Sequence, residues 1–453
     1  MKNVDQWKQW ISGGALDAAL CSLYTAEAVP AQRQRLLRAL DTFAERFGGD
    51  RPVRLFSAPG RTELGGNHTD HSGGRVLAAG VTLDVIGVAA CSGEKLIRVE
   101  SEGFPTDEVS LDDLSVQPGD VGRSSALIRG IAEQFTLCGL RLGGIDAVTT
   151  SDVPKGSGLS SSAAFEILIG WMFSELYNEG TVAAAEIARM AQYAENVHFG
   201  KPCGQMDQLA SAAGGIVAMD FVDPERPMLR SIGFDFNGSG VRLCIVDTGG
   251  SHADLTPEYA AVPAEMEAVS KALGVSSLRK ITEATLIAAL PVLRRSCGDR
   301  AVLRALHFIG ENERVDRQTK TLERGDLPAF LRLVVESGHS SFEYLQNVYS
   351  AASPSEQGVS LGLCLAQRLL NENGGWRVHG GGFAGTIQCF VPEERLSVFR
   401  ESMERVFGRG SCHVLSIRRY GGVCLDRLPG FPPEESRDEE RRNPVWRNCA
   451  DIH

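Results

Sequence analysis

The sequence predicts an α+β fold, because strand-like and helix-like segments follow one another without the regular βαβ rhythm of a doubly wound sheet. The 453 residues allow two or three domains and are ample for large hydrophobic cores. Apolar residues make up 43% of the chain and charged residues 23%, which is typical of a soluble globular protein.

The first part of the chain, residues 1–50, is predicted to be helical. Apolar residues recur at helical spacing over Leu16–Leu23 and over Arg33–Phe47. Pro30 lies between these two segments and is expected to separate them. We interpret residues 1–50 as a helical N-terminal extension.

The pattern becomes strand-like after residue 52. A strand is predicted over Val53–Phe56, and Ser57-Ala58-Pro59-Gly60 is expected to end it. The long apolar run Val76–Ala90 is rich in β-branched residues and is interpreted as a buried strand pair. Further strands are predicted over Leu96–Val99 and Asp146–Thr150.

The rest of the chain mixes both types of element. Gly338 is expected to lie just past the end of one helix, because glycine is a common C-terminal stop. Helices are predicted over Ser161–Tyr177, Thr181–Glu195, Leu327–Ser337 and Ser360–Asn371, and strands over Val241–Asp247, Ile387–Val391 and His413–Ile417.

Charge and cysteine content limit the classes of partner. The formal net charge of −11 argues against a nucleic-acid-binding protein. The eleven cysteines form neither a C-x-x-C pair nor a cluster with zinc spacing, which is typical of reduced cysteines in the cytosol. No signal peptide and no apolar run of about 18 residues occurs, so we expect a cytoplasmic protein without a membrane partner.

One glycine-rich segment, Pro154–Ala164, is typical of a phosphate site. It places small residues with unhindered amides directly before a predicted helix, whose N-terminus carries partial positive charge. A serine N-cap after a glycine turn is the alternative, but three consecutive serines exceed what capping requires. No Lys-Ser or Lys-Thr follows the last glycine, so this is not a Walker loop.

Three other segments carry polar groups beside glycines. Gly60–His71 combines a cation, two carboxylates, an amide and two imidazoles, which suits a polyhydroxylated ligand; a solvated turn is the alternative. Asp207, flanked by Met206, is a candidate buried base, or else a helix N-cap or a surface acid. Gly380–Gly385 alone predicts only a flexible turn before a strand.

Together the four segments resemble those of the GHMP small-molecule kinases, and most closely those of the galactokinases. Gly60–Gly74 is similar to the galactokinase signature, and Pro154–Ala164 matches the second GHMP motif almost letter for letter. Glu195–Gln208 is similar to the segment that carries the catalytic aspartate, and Gly380–Gly385 to the third motif. His252 and Tyr259 match a further galactokinase stretch, and the resemblance spans roughly residues 50–428.

The resemblance implies a two-domain fold with the active site between the domains. The N-terminal domain, residues 51–215, is expected to resemble domain 2 of ribosomal protein S5, and the C-terminal domain, residues 216–428, to be ferredoxin-like. Residues 429–453 are expected to form a charged, proline-containing tail. The implied activity is a sugar 1-kinase that uses ATP and Mg²⁺, as a monomer or a weak homo-oligomer.

The resemblance also assigns roles to individual residues. Asp207 matches the catalytic carboxylate at the anomeric hydroxyl and Arg61 its cationic neighbour, but whether Asp207 removes the proton or only orients the hydroxyl stays open. Ser162 and Glu195 match the Mg²⁺ ligands. The sugar-contacting positions are Asn67, His68, Asp70, Gly204 and Tyr259. The ATP phosphates are expected at Gly156, Ser157, Gly158, Leu159, Ser160, Ser161 and Ser162.

The first motif departs from the family at Asn67, where galactokinases usually have a glutamate that contacts the C6 hydroxyl. Asparagine can donate as well as accept a hydrogen bond, so Asn67 either relaxes selectivity at C6 or makes a neutral bond to the same hydroxyl. The rival hypotheses are a galacturonate or arabinose 1-kinase, and a catalytically silent regulator that binds sugar and ATP.

Overall fold

The structure is a computed structural model and describes residues 2–154, 156–250 and 255–432. These residues form two β-sheets with helices packed against them, so the predicted α+β fold is confirmed. His252 and most of the predicted tail, residues 433–453, lie outside the described residues. No helix in the described part of the chain is long and apolar enough to cross a membrane.

The elements of the described residues are as follows. The α-helices are α1 (Val4–Ser12), α2 (Asp17–Leu23), α3 (Val29–Phe47), α4 (Ser124–Leu137), α5 (Ser161–Tyr177), α6 (Ala184–Tyr193), α7 (Met206–Ala213), α8 (Thr256–Ala272), α9 (Glu283–Ser296), α10 (Asp299–Glu323), α11 (Leu327–Ser340), α12 (Gly358–Leu370) and α13 (Leu396–Phe407). The strands are β1 (Arg54–Gly65), β2 (Arg75–Cys91), β3 (Leu96–Ser101), β4 (Asp107–Ser110), β5 (Ile145–Ser151), β6 (Ile216–Asp220), β7 (Met228–Ile232), β8 (Val241–Asp247), β9 (Gly375–Val378), β10 (Thr386–Pro392), β11 (Cys412–Leu415) and β12 (Val423–Cys424).

The first sheet has the strand order β12-β1-β2-β5-β3-β4, with β6 paired to β2 and β7 to β6. The expected end of β1 at Ser57–Gly60 is wrong, since the strand continues to Gly65. The register of β1 against β2 shifts between Pro59 and Arg61. Proline lacks an N–H donor and is tolerated at such a bulge, so it does not end the strand here.

The predicted strand pair over Val76–Ala90 is also wrong, because β2 is one long strand. Its first part, Arg75–Ala79, pairs with β6, and its last part, Val85–Cys91, pairs with β5. The two glycines within the run mark close packing, since a Cβ at Gly87 would lie 2.3 Å from the methyl carbon of Met172.

Helices cover both faces of the first sheet. Helices α4–α7 pack on one face, and α1–α3, from the predicted extension, pack on the other. Alternate strand residues serve the two cores: Phe56 faces the first group of helices, and Leu55 and Val88 face the second. The two helices predicted within residues 1–50 are confirmed, although α3 begins at Val29 and has Pro30 in its first turn.

The second sheet is antiparallel throughout, with the order β11-β8-β10-β9. One face packs on α12 and α13. The other face joins the core of the first sheet through Phe236, Phe330 and Phe390, whose ring centroids lie 5.5–5.6 Å apart. The first sheet also takes β6, β7 and β12 from beyond the predicted domain boundary at residues 215/216.

Most of the later helix and strand predictions are confirmed, with differences at their ends. Helix α5 has the predicted bounds, whereas α6 ends at Tyr193 and continues as a π-helical turn, Ala194–Phe199. Helix α11 runs through Gly338, where a Cβ would lie 2.9 Å from the carbonyl oxygen of Trp376. That glycine permits close packing and does not end the helix.

Candidate active site

An arginine–aspartate pair lies where β1 meets the N-terminus of α7. Arg61 donates two hydrogen bonds to Asp207, from Nε to Oδ1 and from Nη2 to Oδ2, each at 2.6 Å. Such two-point pairing fixes the plane of the carboxylate. Arg61 is buried, whereas the side chain of Asp207 keeps 28% exposure and can meet a ligand. The structure therefore brings together the two predicted catalytic residues.

The surroundings of Asp207 keep it ionised. Burial opposes its negative charge, but Arg61 and a hydrogen bond from the Ser160 hydroxyl outweigh burial and lower the pKa of Asp207 below its usual value. Arg61 also donates to the carbonyl oxygen of Gly158, so the same guanidinium holds both the acid and the glycine-rich loop.

The predicted phosphate loop precedes α5 with an open backbone. Gly156 and Gly158 have φ angles of +73° and +69°, which favour glycine. No side chain caps the N-terminus of α5, so the amides of its first turn have no side-chain partner. The half-buried Ser161 and Ser162 open this helix.

Three of the seven residues predicted to bind the ATP phosphates use their side chains elsewhere. Ser157 is 3% exposed and donates to the carbonyl oxygen of Pro154 at 2.7 Å. The Leu159 side chain lies in the core of the first sheet, and the Ser160 hydroxyl donates to Asp207. Their contribution to an anion site is therefore limited to backbone groups, of which the Leu159 N–H already donates to the Ser157 hydroxyl at 3.4 Å.

The predicted metal ligand Glu195 lies in the π-helical turn and is 3% exposed. Its Oε2 accepts hydrogen bonds from Gln208 Nε2 at 2.8 Å and from Cys203 Sγ at 3.0 Å. Its Oε1 accepts from Lys201 Nζ at 2.7 Å. Gln208 Nε2 also donates to Glu166 Oε2 at 3.0 Å, so one amide bridges two carboxylates.

These residues suit a divalent cation that prefers oxygen ligands. Glu166 is one helical turn beyond Ser162 on α5, and its Oε1 is buried without a hydrogen-bond partner. Burial and the nearby Glu195 raise the pKa of Glu166. The described residues contain no ready-made cluster of three or more ligating side chains. Mg²⁺ needs none, since it prefers a few protein oxygens plus phosphates and water.

Two of the predicted sugar-contacting positions touch each other. A Cβ at Gly204 would lie 1.9 Å from Oδ2 of Asp70, so only glycine allows the loop before α7 to approach that carboxylate. The first and third sequence segments therefore meet at this contact, close to Asp207.

His68 and Tyr259 both hold the fourth glycine segment. His68 Nε2 donates to the carbonyl oxygen of Gly381 at 2.9 Å, and the Tyr259 hydroxyl donates to that of Gly382 at 2.9 Å. Burial and the nearby His71 lower the pKa of His68 to about 3, so its imidazole is neutral. The neutral Nδ1 is then left as a hydrogen-bond acceptor.

The side chain of Asn67, predicted to contact the sugar, is hydrogen-bonded within the protein. It is 1% exposed, and its Nδ2 donates to Glu63 Oε1 at 3.2 Å and to the carbonyl oxygen of Gly380 at 2.8 Å. Its Oδ1 accepts from Ser341 at 3.3 Å and from Asn347 at 2.8 Å. All four hydrogen-bonding positions of the amide are thus occupied within the protein.

Sequence reasoning missed several residues that complete the site. Glu166 is four residues after Ser162 on α5, so helical spacing would have pointed to it, whereas Gln208 follows Asp207 directly and has no such signal. The buried ion pair between Glu63 and Arg377 had no such signal, because the two residues are 314 positions apart.

The fold and this site define a small-molecule kinase of the GHMP type. Residues 126–215 match the model for the GHMP kinases N terminal domain, and residues 41–91 match the galactokinase galactose-binding signature. The chain is 33% identical to a galactokinase of Streptomyces coelicolor over 369 residues, which cover 81% of this chain and 92% of that one. A galactokinase of Actinobacillus pleuropneumoniae is 32% identical over 365 residues, covering 80% and 91%.

Solved structures agree with these matches. Lactococcus lactis galactokinase, solved in complex with galactose, superposes with a TM-score of 0.75 at 25% identity, covering 86% of this chain and 99% of that one. The mevalonate kinase of Methanococcus jannaschii shares the fold, with a TM-score of 0.59 at 16% identity, and covers 81% of this chain and 99% of its own. The chain belongs to the galactokinase family, and it is a sugar kinase that uses ATP.

Proposed function

We propose that this protein transfers the γ-phosphoryl group of ATP to the anomeric hydroxyl of galactose, giving galactose 1-phosphate and ADP. The two-point pair of Arg61 with Asp207, beside the glycine loop before α5, carries the proposal. Its relatives named as galactokinases support the choice of sugar. A cytoplasmic location and a monomeric or weakly oligomeric state stay predictions.

In the proposed reaction Asp207 accepts a hydrogen bond from the anomeric hydroxyl and aligns its oxygen with the phosphorus atom. A carboxylate with a lowered pKa is a weak base, so Asp207 orients the hydroxyl and takes its proton only late in the transfer. Arg61 holds the carboxylate in place and eases the negative charge that develops at the sugar oxygen.

The ATP phosphates are proposed to lie against the backbone of Gly156–Gly158 and the first turn of α5. Ser162 and Glu195 would hold Mg²⁺, with Glu166 buried behind them. When bound, Mg²⁺ neutralises negative charge on the phosphate oxygens. His68, Asp70, Gly204 and Tyr259 are proposed to surround the sugar.

A sugar that differs from galactose at C6 is the second candidate, and the state of Asn67 favours it. Asparagine has no carboxylate, and because this amide is fully bonded within the protein, position 67 offers no free hydrogen-bonding group to a C6 hydroxyl either. Arabinose lacks the hydroxymethyl group, and galacturonate carries a carboxylate there that a glutamate would repel.

Coupled measurement of ADP release with galactose, arabinose and galacturonate, each with Mg²⁺ and ATP, tests the proposal. We expect galactose to give the highest kcat/KM. The Asp207→Asn variant should lose roughly 10²–10⁴-fold in kcat while still binding the sugar, because the amide keeps the shape but not the charge.

The matched control is Asp112→Asn, which neutralises an exposed carboxylate whose partner is Lys95. It should leave kcat unchanged. Equal rates for Asp207→Asn and the unmodified protein would contradict the catalytic role, and a higher kcat/KM for arabinose or galacturonate would replace galactose as the substrate.

A further inference from the structure

A single lysine ammonium lies on the carboxylate proposed to bind the metal. Lys201 Nζ donates to Glu195 Oε1 at 2.7 Å, and its backbone N–H donates to the carbonyl oxygen of Glu195 at 3.0 Å. The lysine side chain is 60% exposed, whereas the glutamate side chain is 4% exposed. The backbone of Lys201 is thus tied to Glu195, and its side chain is largely exposed although the ammonium pairs with the buried carboxylate.

This ammonium occupies Oε1, one of the two oxygens that Glu195 offers to a divalent cation. The other oxygen of Glu195 already accepts hydrogen bonds from Gln208 and Cys203, both of which are neutral donors. Within the described residues, Lys201 forms the only ion pair of Glu195. A cation bound to Oε1 would therefore have to displace the ammonium, because the two positive charges repel each other.

Displacement is possible because the arriving cation in turn compensates the buried carboxylate of Glu195, and because the 60% exposed lysine side chain is long and flexible. The displaced ammonium stays within one side-chain length of Glu195, because the backbone bond holds Lys201 there. The anions that arrive with the cation are the phosphates of the nucleotide, and an ammonium is a compact point charge suited to them.

We propose that Lys201 takes the place of the metal on Glu195 in the free enzyme and moves to the nucleotide phosphates when the metal arrives. This inference rests on the proposed function only in placing Mg²⁺ at Glu195. It adds a phosphate-binding residue to the site and a direct competition between the residue and the metal.

The proposal predicts opposite effects on two binding equilibria. In a Lys201→Met variant, which keeps the stem and removes the charge, Mn²⁺ should bind roughly two- to fivefold more tightly, because nothing has to be displaced. Tripolyphosphate added together with saturating Mg²⁺ should bind roughly two- to fivefold more weakly, because the displaced ammonium no longer pairs with its oxygens. Titration calorimetry measures the affinity for tripolyphosphate. The electron paramagnetic resonance signal of free Mn²⁺ measures the affinity for the metal.

Two further variants serve as controls. Lys201→Arg keeps the charge and should retain both affinities, and Lys95→Met removes an exposed ammonium paired with Asp112 and should change neither. A lysine that only supports the fold would move both affinities in the same direction or neither, and that result would overturn the proposal. Absence of Mn²⁺ binding in both the unmodified protein and Lys201→Met would also overturn it.

These titrations contain no sugar and measure no turnover. A chain that released no ADP with any sugar would contradict the proposed function while leaving the opposite changes in Mn²⁺ and tripolyphosphate affinity measurable.

Discussion

Residue 67 is asparagine where galactokinases usually have glutamate, and in the folded protein its side chain bonds to other residues of the chain. The Asn67 amide joins the loop after β1 to Gly380 and to Asn347, and it lies beside the carboxylate of Glu63. Its two donors satisfy the carbonyl oxygen of Gly380 and add to the ion pair that Arg377 makes with Glu63. We therefore expect the residue to support the proposed sugar site from behind.

An Asn67→Glu variant, which restores the usual residue of the family, is expected to be less stable. Glutamate offers no donor to Glu63 or Gly380 and adds a second buried carboxylate, so the free energy of unfolding should fall by roughly 3–5 kcal/mol. Urea denaturation measures it. An unchanged midpoint together with tighter binding of galactose would show instead that position 67 faces the sugar.

The side chains found from sequence are those that lie in short motifs. Arg61, Asp207 and Glu195 each stand in a run of glycines or polar residues, and those runs also determine the local backbone. The partners that hold them are harder to find. Arg377 pairs with Glu63 across two strands of different sheets, and only the assembled fold brings the two together.

At the scale of elements, α1–α3 belong to the core of the first sheet. Phe43 on α3 is fully buried, whereas Glu45 on the same helix is exposed. A Phe43→Ala variant should lower the free energy of unfolding by roughly 3–5 kcal/mol, because it leaves a cavity under the sheet. Glu45→Ala should change it by no more than about 0.5 kcal/mol.

Thermal unfolding followed by circular dichroism measures both variants. If residues 1–50 were only loosely attached, Phe43→Ala would leave the main transition where it is. If α1–α3 only stabilise the first sheet, Phe43→Ala should lower stability without changing the kcat of the folded enzyme.

The bounds of an element are predicted correctly where the spacing of its hydrophobic residues agrees with the residues that mark its ends, as in α5 and β8. They were mispredicted where proline or glycine serves packing. Pro59 lies at a bulge, Gly87 makes room for Met172, and Gly338 lets α11 approach β9. The sequence near each residue does not show whether the proline or glycine permits close packing or forms a turn. The neighbour that requires the small residue is far away in sequence.

At the scale of the whole molecule, buried neutral histidines make stability depend on pH. His379 is 2% exposed and hydrogen-bonds with Thr62 and Thr386 at the junction of the two sheets. Burial and the nearby Arg61 and Arg377 lower its pKa from 6.5 to about 3. Between these two pH values the unfolded chain carries a proton at this residue that the folded chain does not.

The contribution of His379 to stability is therefore complete above about pH 6.5 and is lost as the pH falls towards 3, by about 1.4 kcal/mol per pH unit. Urea unfolding at pH 5, 6, 7 and 8 should show this slope as a difference between the unmodified protein and His379→Gln. Parallel curves for the two proteins would contradict a depressed pKa at His379.

The last described strand, β12, pairs with β1 although the whole second sheet lies between them in sequence. Just before it, Arg418 reaches the fully buried Asp84, which also binds Arg35. A growing chain on the ribosome cannot close its first sheet, or complete the charge balance around Asp84, until nearly all of the described residues have been synthesised. We therefore expect the two halves to fold together once β12 has been synthesised, rather than one after the other, with slow kinetics set by these distant contacts.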